Sequence, residues 1–201
     1  MAIKVANNQS LTAITALPSS FTAGAMALLE TQTASSSATL SFTSNIDSTY
    51  DEYIFRFYDI HPATDAAELG FQANASGGSG YDETMQTTYF RAVHSEADDA
   101  ATLSYDANRD QAQATGFQEI ASDVGNENDQ STSGYLHLFN PSSTTFVKHF
   151  ILRSSVYIAD TGARDQHVAG YINTASAIDE IQFKMSSGNI DAGVIKLYGI
   201  S

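Results

Sequence analysis

Between residues 134 and 201 the chain carries five short apolar runs, each of strand length and each closed by Gly, Asn, Asp, Pro or Ser. They cover 134–140, 146–158, 167–173, 180–186 and 193–201. Runs of this length, alternating apolar with polar and separated by turn residues, build antiparallel sheets that close as a sandwich or a barrel. At 201 residues the chain suits one large all-β domain better than two small ones. Its polarity comes mostly from Ser, Thr, Asn, Gln and Gly, which suits strands and turns rather than a helical bundle.

The earlier part reads in the same way. Segments 26–33 and 37–43 read as a strand pair joined by a Ser-rich connection, with 45–49 as a turn. Over 53–58, Tyr53, Phe55 and Phe57 share one face, which is assigned to the core, and His61-Pro62 ends the strand. A strand over 68–73 points Leu69 and Phe71 inward, and Gly77–Gly80 is a loop. A strand over 87–94 has no clear register. Residues 95–133 are the least regular, with a short helix expected within 101–114 and a strand over 116–122. Such a polar excursion from a rigid scaffold is where binding often sits. Residues 1–25 read as an arm ahead of a 26–201 sandwich: Leu11, Ile14, Leu17 and Phe21 are scattered apolar anchors and Pro18 breaks regular structure.

Charge narrows the partners. The net charge is −14 with only nine Lys plus Arg, and no basic cluster, so nucleic acid is rejected as the main ligand and an anionic membrane is disfavoured. Nine acids fall between Glu96 and Asp129 against the single base Arg109. They read as solvated surface, with a divalent-cation site over 123–129 as the functional alternative; the order of oxygens there does not match an EF-hand loop. The absence of cysteine rules out disulfides, thiolate catalysis and Cys-ligated zinc. Met1–Asn8 does not read as a signal peptide, and the apolar stretch 23–29 is too short to span a bilayer.

Catalytic constellations are weak. The five histidines, His61, His94, His137, His149 and His167, lack helical ligand spacing and read as strand or interface positions. His94-Ser95-Glu96 with Asp98 and Asp99 gathers triad residue types, but triads are a matter of geometry, and adjacent residues rarely supply it. Twenty-three acids allow many carboxylate pairs for glycoside hydrolysis, yet the lack of Trp removes the widest sugar platform. The chain is therefore expected to be neither an enzyme nor the holder of a cofactor or metal. Tyr81, Tyr105 and Tyr157, read as exposed tyrosines in the middle loops, are its candidate receptor or subunit contacts.

A more specific expectation comes from resemblance. The stretches 31–43, 46–53, 60–65 and 90–92 resemble a family of virion proteins from marine tailed phages. The similarity is densest in Leu-His-Leu-Phe-Asn-Pro-Ser-Ser at 136–143, over 182–190, and in Ile-Lys-Leu-Tyr-Gly-Ile at 195–200. It spans roughly residues 26–201. The resemblance implies a jelly-roll-like sandwich on the particle surface, assembled in the host cytoplasm and built as a homotrimer without catalytic residues. A head decoration or knob is the first expectation. A tail-fibre or tail-tip adhesin for a host surface glycan is the second, and a polysaccharide depolymerase a distant third. The arm would then anchor the domain to other virion proteins.

Overall fold

The computed structural model describes residues 26–200, and the arm candidates Leu11, Ile14, Leu17 and Phe21 lie outside them. The described chain is all-β, with thirteen strands: β1 (Met26–Ser37), β2 (Leu40–Phe42), β3 (Glu52–Pro62), β4 (Ala67–Ala75), β5 (Met85–Ser95), β6 (Ala101–Tyr105), β7 (Ala112–Ala114), β8 (Gln118–Val124), β9 (Thr132–Phe139), β10 (Lys148–Ile158), β11 (Gly162–Ile172), β12 (Ile178–Met185) and β13 (Ile190–Ile200).

Alternation explains most of them. Along β10 the odd positions His149, Ile151, Arg153 and Ser155 are exposed, while Lys148, Phe150, Leu152, Ser154, Val156 and Ile158 are buried. The same period puts Tyr53, Phe55 and Phe57 inside from β3, as the pattern predicts, and Pro62 ends that strand. Both faces of β4 are covered, so Gln72 is buried along with Leu69 and Phe71. Gly188 (φ 67°) makes the turn between β12 and β13, a left-handed conformation that favours glycine.

Four antiparallel ladders nest one within the next: β1 with β13, β2 with β12, β3 with β9, and β4 with β8. The ladders β13–β3 and β12–β4 join these sideways into two layers, β1-β13-β3-β9 and β2-β12-β4-β8. This pairing is jelly-roll-like: a long hairpin rolled so that its two halves fall into facing sheets. Two insertions enlarge the first layer. The β10–β11 hairpin adds beside β9, β5 adds beside β11, and β6 and β7 line the far edge of β5. A single bridge, Val124–Ile158, nearly closes the sheet on itself.

The core lies between the layers. Phe42 and Phe55 meet edge-on at 5.2 Å between ring centroids, Phe71 and Phe150 at 5.0 Å, and Phe55 and Phe183 tilt together at 5.6 Å. Each such buried ring contributes roughly 1.5–3 kcal/mol through the hydrophobic effect. Towards β5 and β11 the interior turns polar. The Ser154 hydroxyl donates to the Ile120 carbonyl, the Thr87 hydroxyl donates to Gln118, and Gln72 donates to the carbonyls of Glu83, Thr115 and Gly116.

Three expectations are corrected. Segment 101–114 is not helical: it forms β6, a turn and β7, because the free edge of β5 offers unpaired backbone groups and ladder pairing outweighs the weak helix preference of Ala. Residues 95–133 are correspondingly more regular than their polarity suggests. The segments 26–33 and 37–43 do not pair with each other; β1 and β2 lie in different layers, each on a strand from the end of the chain.

Candidate functional site

The outward face of the enlarged layer carries the richest surface chemistry. The registers of six consecutive ladders align one residue from each of seven strands: Lys196, Arg56, Tyr135, Arg153, His167, Phe90 and Tyr105. At about 4.8 Å between strands this row is roughly 29 Å long. Arg56, Tyr135, Arg153, Phe90 and Tyr105 are exposed, and Lys196 and His167 are half-buried.

Neighbours in the row interact. The Phe90 ring and the His167 imidazole stack in parallel with centroids 4.7 Å apart. Arg153 donates twice to Asp165, with Nε–Oδ1 and Nη2–Oδ2 both 2.9 Å. This pairing, aided by His167, holds the Asp165 carboxyl below the usual range. At the β3–β13 end the Arg56 guanidinium lies 5.9 Å from the Tyr198 ring centre and the Lys196 ammonium 5.8 Å from that of Tyr58. Neither cation pairs with a carboxylate among the described residues.

Two grooves flank the middle of the row. One, of about 460 Å³, is lined by polar groups that include Ser133, Ser155, Tyr157, His94, Glu96 and Asp129. The other, of about 390 Å³, is more apolar, with Thr88, Phe139, His149, Ile151 and Tyr171 in its wall. His149 and Tyr171 meet edge-on there at 5.9 Å.

A second cluster lies where the β5–β7 insertion joins the sandwich. Arg109 contacts Glu68 (3.2 Å), Asp106 (3.3 Å), Asp123 (3.2 Å) and Glu119. Arg91 reaches Asp106 at 3.1 Å, and Arg164 joins Asp123 and the Ser122 hydroxyl. Burial works against the Arg109 charge, but Glu119, Asp123 and Glu68 outweigh it and hold the guanidinium protonated above its ordinary range. Burial pushes the Glu119 carboxyl up, against the downward pull of Arg109. Beside them, burial raises the Tyr89 hydroxyl to about 12. The cluster is a structural clamp: its charges face one another and its geometry is spent on fixing the insertion.

This clamp revises the reading of the acidic run. Asp106, Glu119 and Asp123 are paired with arginines rather than left as solvated surface. Asp123, the first carboxylate of the cation candidate 123–129, is committed to Arg109 and Arg164. Further along, the Asn126 and Glu127 amides donate to Asp65 and Gln130, and no group of three or more His, Asp or Glu side chains with metal-binding geometry occurs among the described residues.

The triad residue types serve the turn after β5. The Ser95 hydroxyl donates to Asp99 (2.6 Å) and accepts from the Asp99 and Ala100 amides, while His94 contacts Asp98 at 3.2 Å. His61 bonds to the Gln130 carbonyl, and His137 pairs with Glu52.

The tyrosine candidates separate. Tyr105 ends β6 at the tip of the row, 55% exposed and bonded to Asp110. Tyr157 is a half-buried position of β10 in the polar groove, where the neighbouring Glu96 carboxylate raises its hydroxyl above the usual phenol range. Tyr81 lies in the β4–β5 loop, half-buried, and donates to Glu180 at 2.7 Å. Of the three, only Tyr81 is a loop residue.

Sequence reading missed Arg56, Tyr135, Arg153 and Phe90. The available signal was a charged or aromatic residue set between two buried ones, as in Phe55-Arg56-Phe57 and Ile195-Lys196-Leu197. No protein-family model, curated protein or solved structure matches this chain.

Proposed function

We propose that this chain is a structural protein of a tailed-phage particle, displayed on its surface as a head decoration or knob subunit and assembled from three copies. The observation that carries the reading is where the phage-like stretches fall. Residues 136–143 lie on β9 and its following turn, 182–190 on β12 and the turn into β13, and 195–200 on β13. Those strands belong to the nested ladders, so the densest parts of the resemblance lie on the framework. A jelly-roll-like sandwich is also an architecture of viral capsid domains, although a fold alone does not assign a function. In this reading the chain is made in the host cytoplasm, partners itself and other virion proteins through the 1–25 arm, and has no catalytic role.

A second reading, a tail-fibre or tail-tip adhesin, draws on the exposed cation–aromatic row and its flanking grooves. Copy number separates the two, because decorations occur in many copies and tail adhesins in few. The test is co-sedimentation with purified particles. The full chain is expected to band with them, and a chain lacking residues 1–25 is expected to stay folded by circular dichroism yet remain in the soluble fraction. A full chain that never bands with particles would defeat the proposal.

A further inference from the structure

The outer face of the enlarged layer carries two cations that no carboxylate among the described residues pairs with. This chain has nine Lys plus Arg against twenty-three Asp plus Glu. Arg91, Arg109, Arg153 and Arg164 are each paired with a carboxylate. Lys148 is buried beneath the carbonyls of Phe146 and Thr174, and Lys184 sits 4.0 Å from the centre of the Phe117 ring. Arg56 and Lys196 stand directly opposite each other in register, at one end of the aromatic row, with tyrosine rings as their neighbours. In so acidic a chain, an exposed arginine and a half-buried lysine side by side, with no carboxylate partner among the described residues, are a place for a negative charge from outside.

We propose that this face binds a linear anionic glycan laid across the strands, with its acidic groups on Arg56 and Lys196 and its rings on Tyr135, His167 and Phe90. The inference rests on the adhesive reading above and names its ligand class. Three features fit a sugar chain. The strand spacing of about 4.8 Å is close to the length of one pyranose unit, so successive members of the row meet successive sugars. Tyr135 offers exposed ring surface for the apolar C–H face of a sugar, the stacked Phe90 and His167 rings offer their outer apolar edges, and Arg56 offers the planar donor fork that matches a carboxylate or sulfate. The groove beside the row offers the Ser133 and Ser155 hydroxyls to sugar hydroxyls, and its Glu96 and Asp129 carboxylates confine the ligand's acidic groups to the Arg56 and Lys196 end. Nucleic acid, the other long polyanion, would require many more cations than this face presents. The repulsion from the net charge of −14 is screened beyond roughly 8 Å at physiological salt, so contact at the row governs binding.

Calorimetric titration of the full chain tests this with three probes: a hexamer of galacturonate, its methyl ester, and a sulfated galactan hexamer. Binding of at least one anionic hexamer and not of the ester is expected, and the preferred anion identifies carboxylate or sulfate as the source. Arg56→Gln with Lys196→Gln, which removes both charges, keeps polar side chains and leaves the core untouched, should weaken that binding by about tenfold or more. Tyr135→Ala should weaken it too, and Tyr135→Phe should restore it. No heat with either anionic hexamer, or equal binding of acid and ester, would overturn the proposal. So would a change in sedimentation of the free protein in the double glutamine variant, which would make this face a contact between copies. Because the titration uses isolated protein, its failure is distinct from failure to find the chain on particles.

Discussion

Gly134 shows how closely the β10–β11 insertion is fitted to the sandwich. It is an inward position of β9, opposite Phe57 on one side and Ser154 on the other. A Cβ placed there would come within 2.3 Å of the Arg153 carbonyl oxygen and 2.7 Å of the Phe57 ring. The missing side chain is what lets that ring lie across β9. Gly134→Ala is therefore expected to destabilise the fold by about 1–3 kcal/mol, as overpacking does, measured by urea unfolding. Arg153 and Asp165 give a second residue-level test. The folded Asp165 pKa is depressed by Arg153, so the pair's contribution is present above the unfolded value of about 3.9. It is lost only as pH falls through the lower folded value. In Arg153→Gln the Asp165 carboxyl should titrate higher than in the parent, read by NMR. An unchanged titration would mean that the pair contributes little in solution.

At the scale of elements, the β5–β7 insertion depends on Arg109. Four carboxylates surround its guanidinium. Arg109→Met would leave Glu68 and Glu119 without a cation, while Asp106 and Asp123 keep Arg91 and Arg164, at a cost of roughly 3 kcal/mol. Hydrogen exchange should then show β6 and β7 losing protection before β3, β9 and β13. Uniform loss across all strands would mean that the insertion and sandwich unfold as one unit. The strands themselves were largely legible from the chain, because alternation in β3, β10 and β13 shows which side chains turn inward. The helix expected over 101–114 failed since nothing local reveals that β5 has a free edge. The row from Lys196 to Tyr105 was hidden for a related reason. Its members come from strands far apart in sequence, and only the register of non-consecutive ladders brings them side by side. The tyrosines singled out from the sequence show the same limit: Tyr105 and Tyr157 belong to strands of the enlarged layer, and Tyr81 to a loop that reaches Glu180 on β12.

On the scale of the whole molecule, a jelly-roll-like frame is joined to one enlarged, cation- and aromatic-bearing sheet in a strongly acidic chain. In the proposed function the frame serves a subunit that assembles on a particle, and the enlarged sheet gives that subunit a face to present. Net charge opposes unguided association between copies, so assembly calls for matched contacts rather than general stickiness. The most direct measurement is immunogold labelling of intact particles with antibody against this chain. The account predicts label on the outside of the particle: dense over the head for a decoration or knob, sparse and confined to the tail for an adhesin. Particles that carry no label, while the protein is plentiful in the soluble lysate, would contradict it.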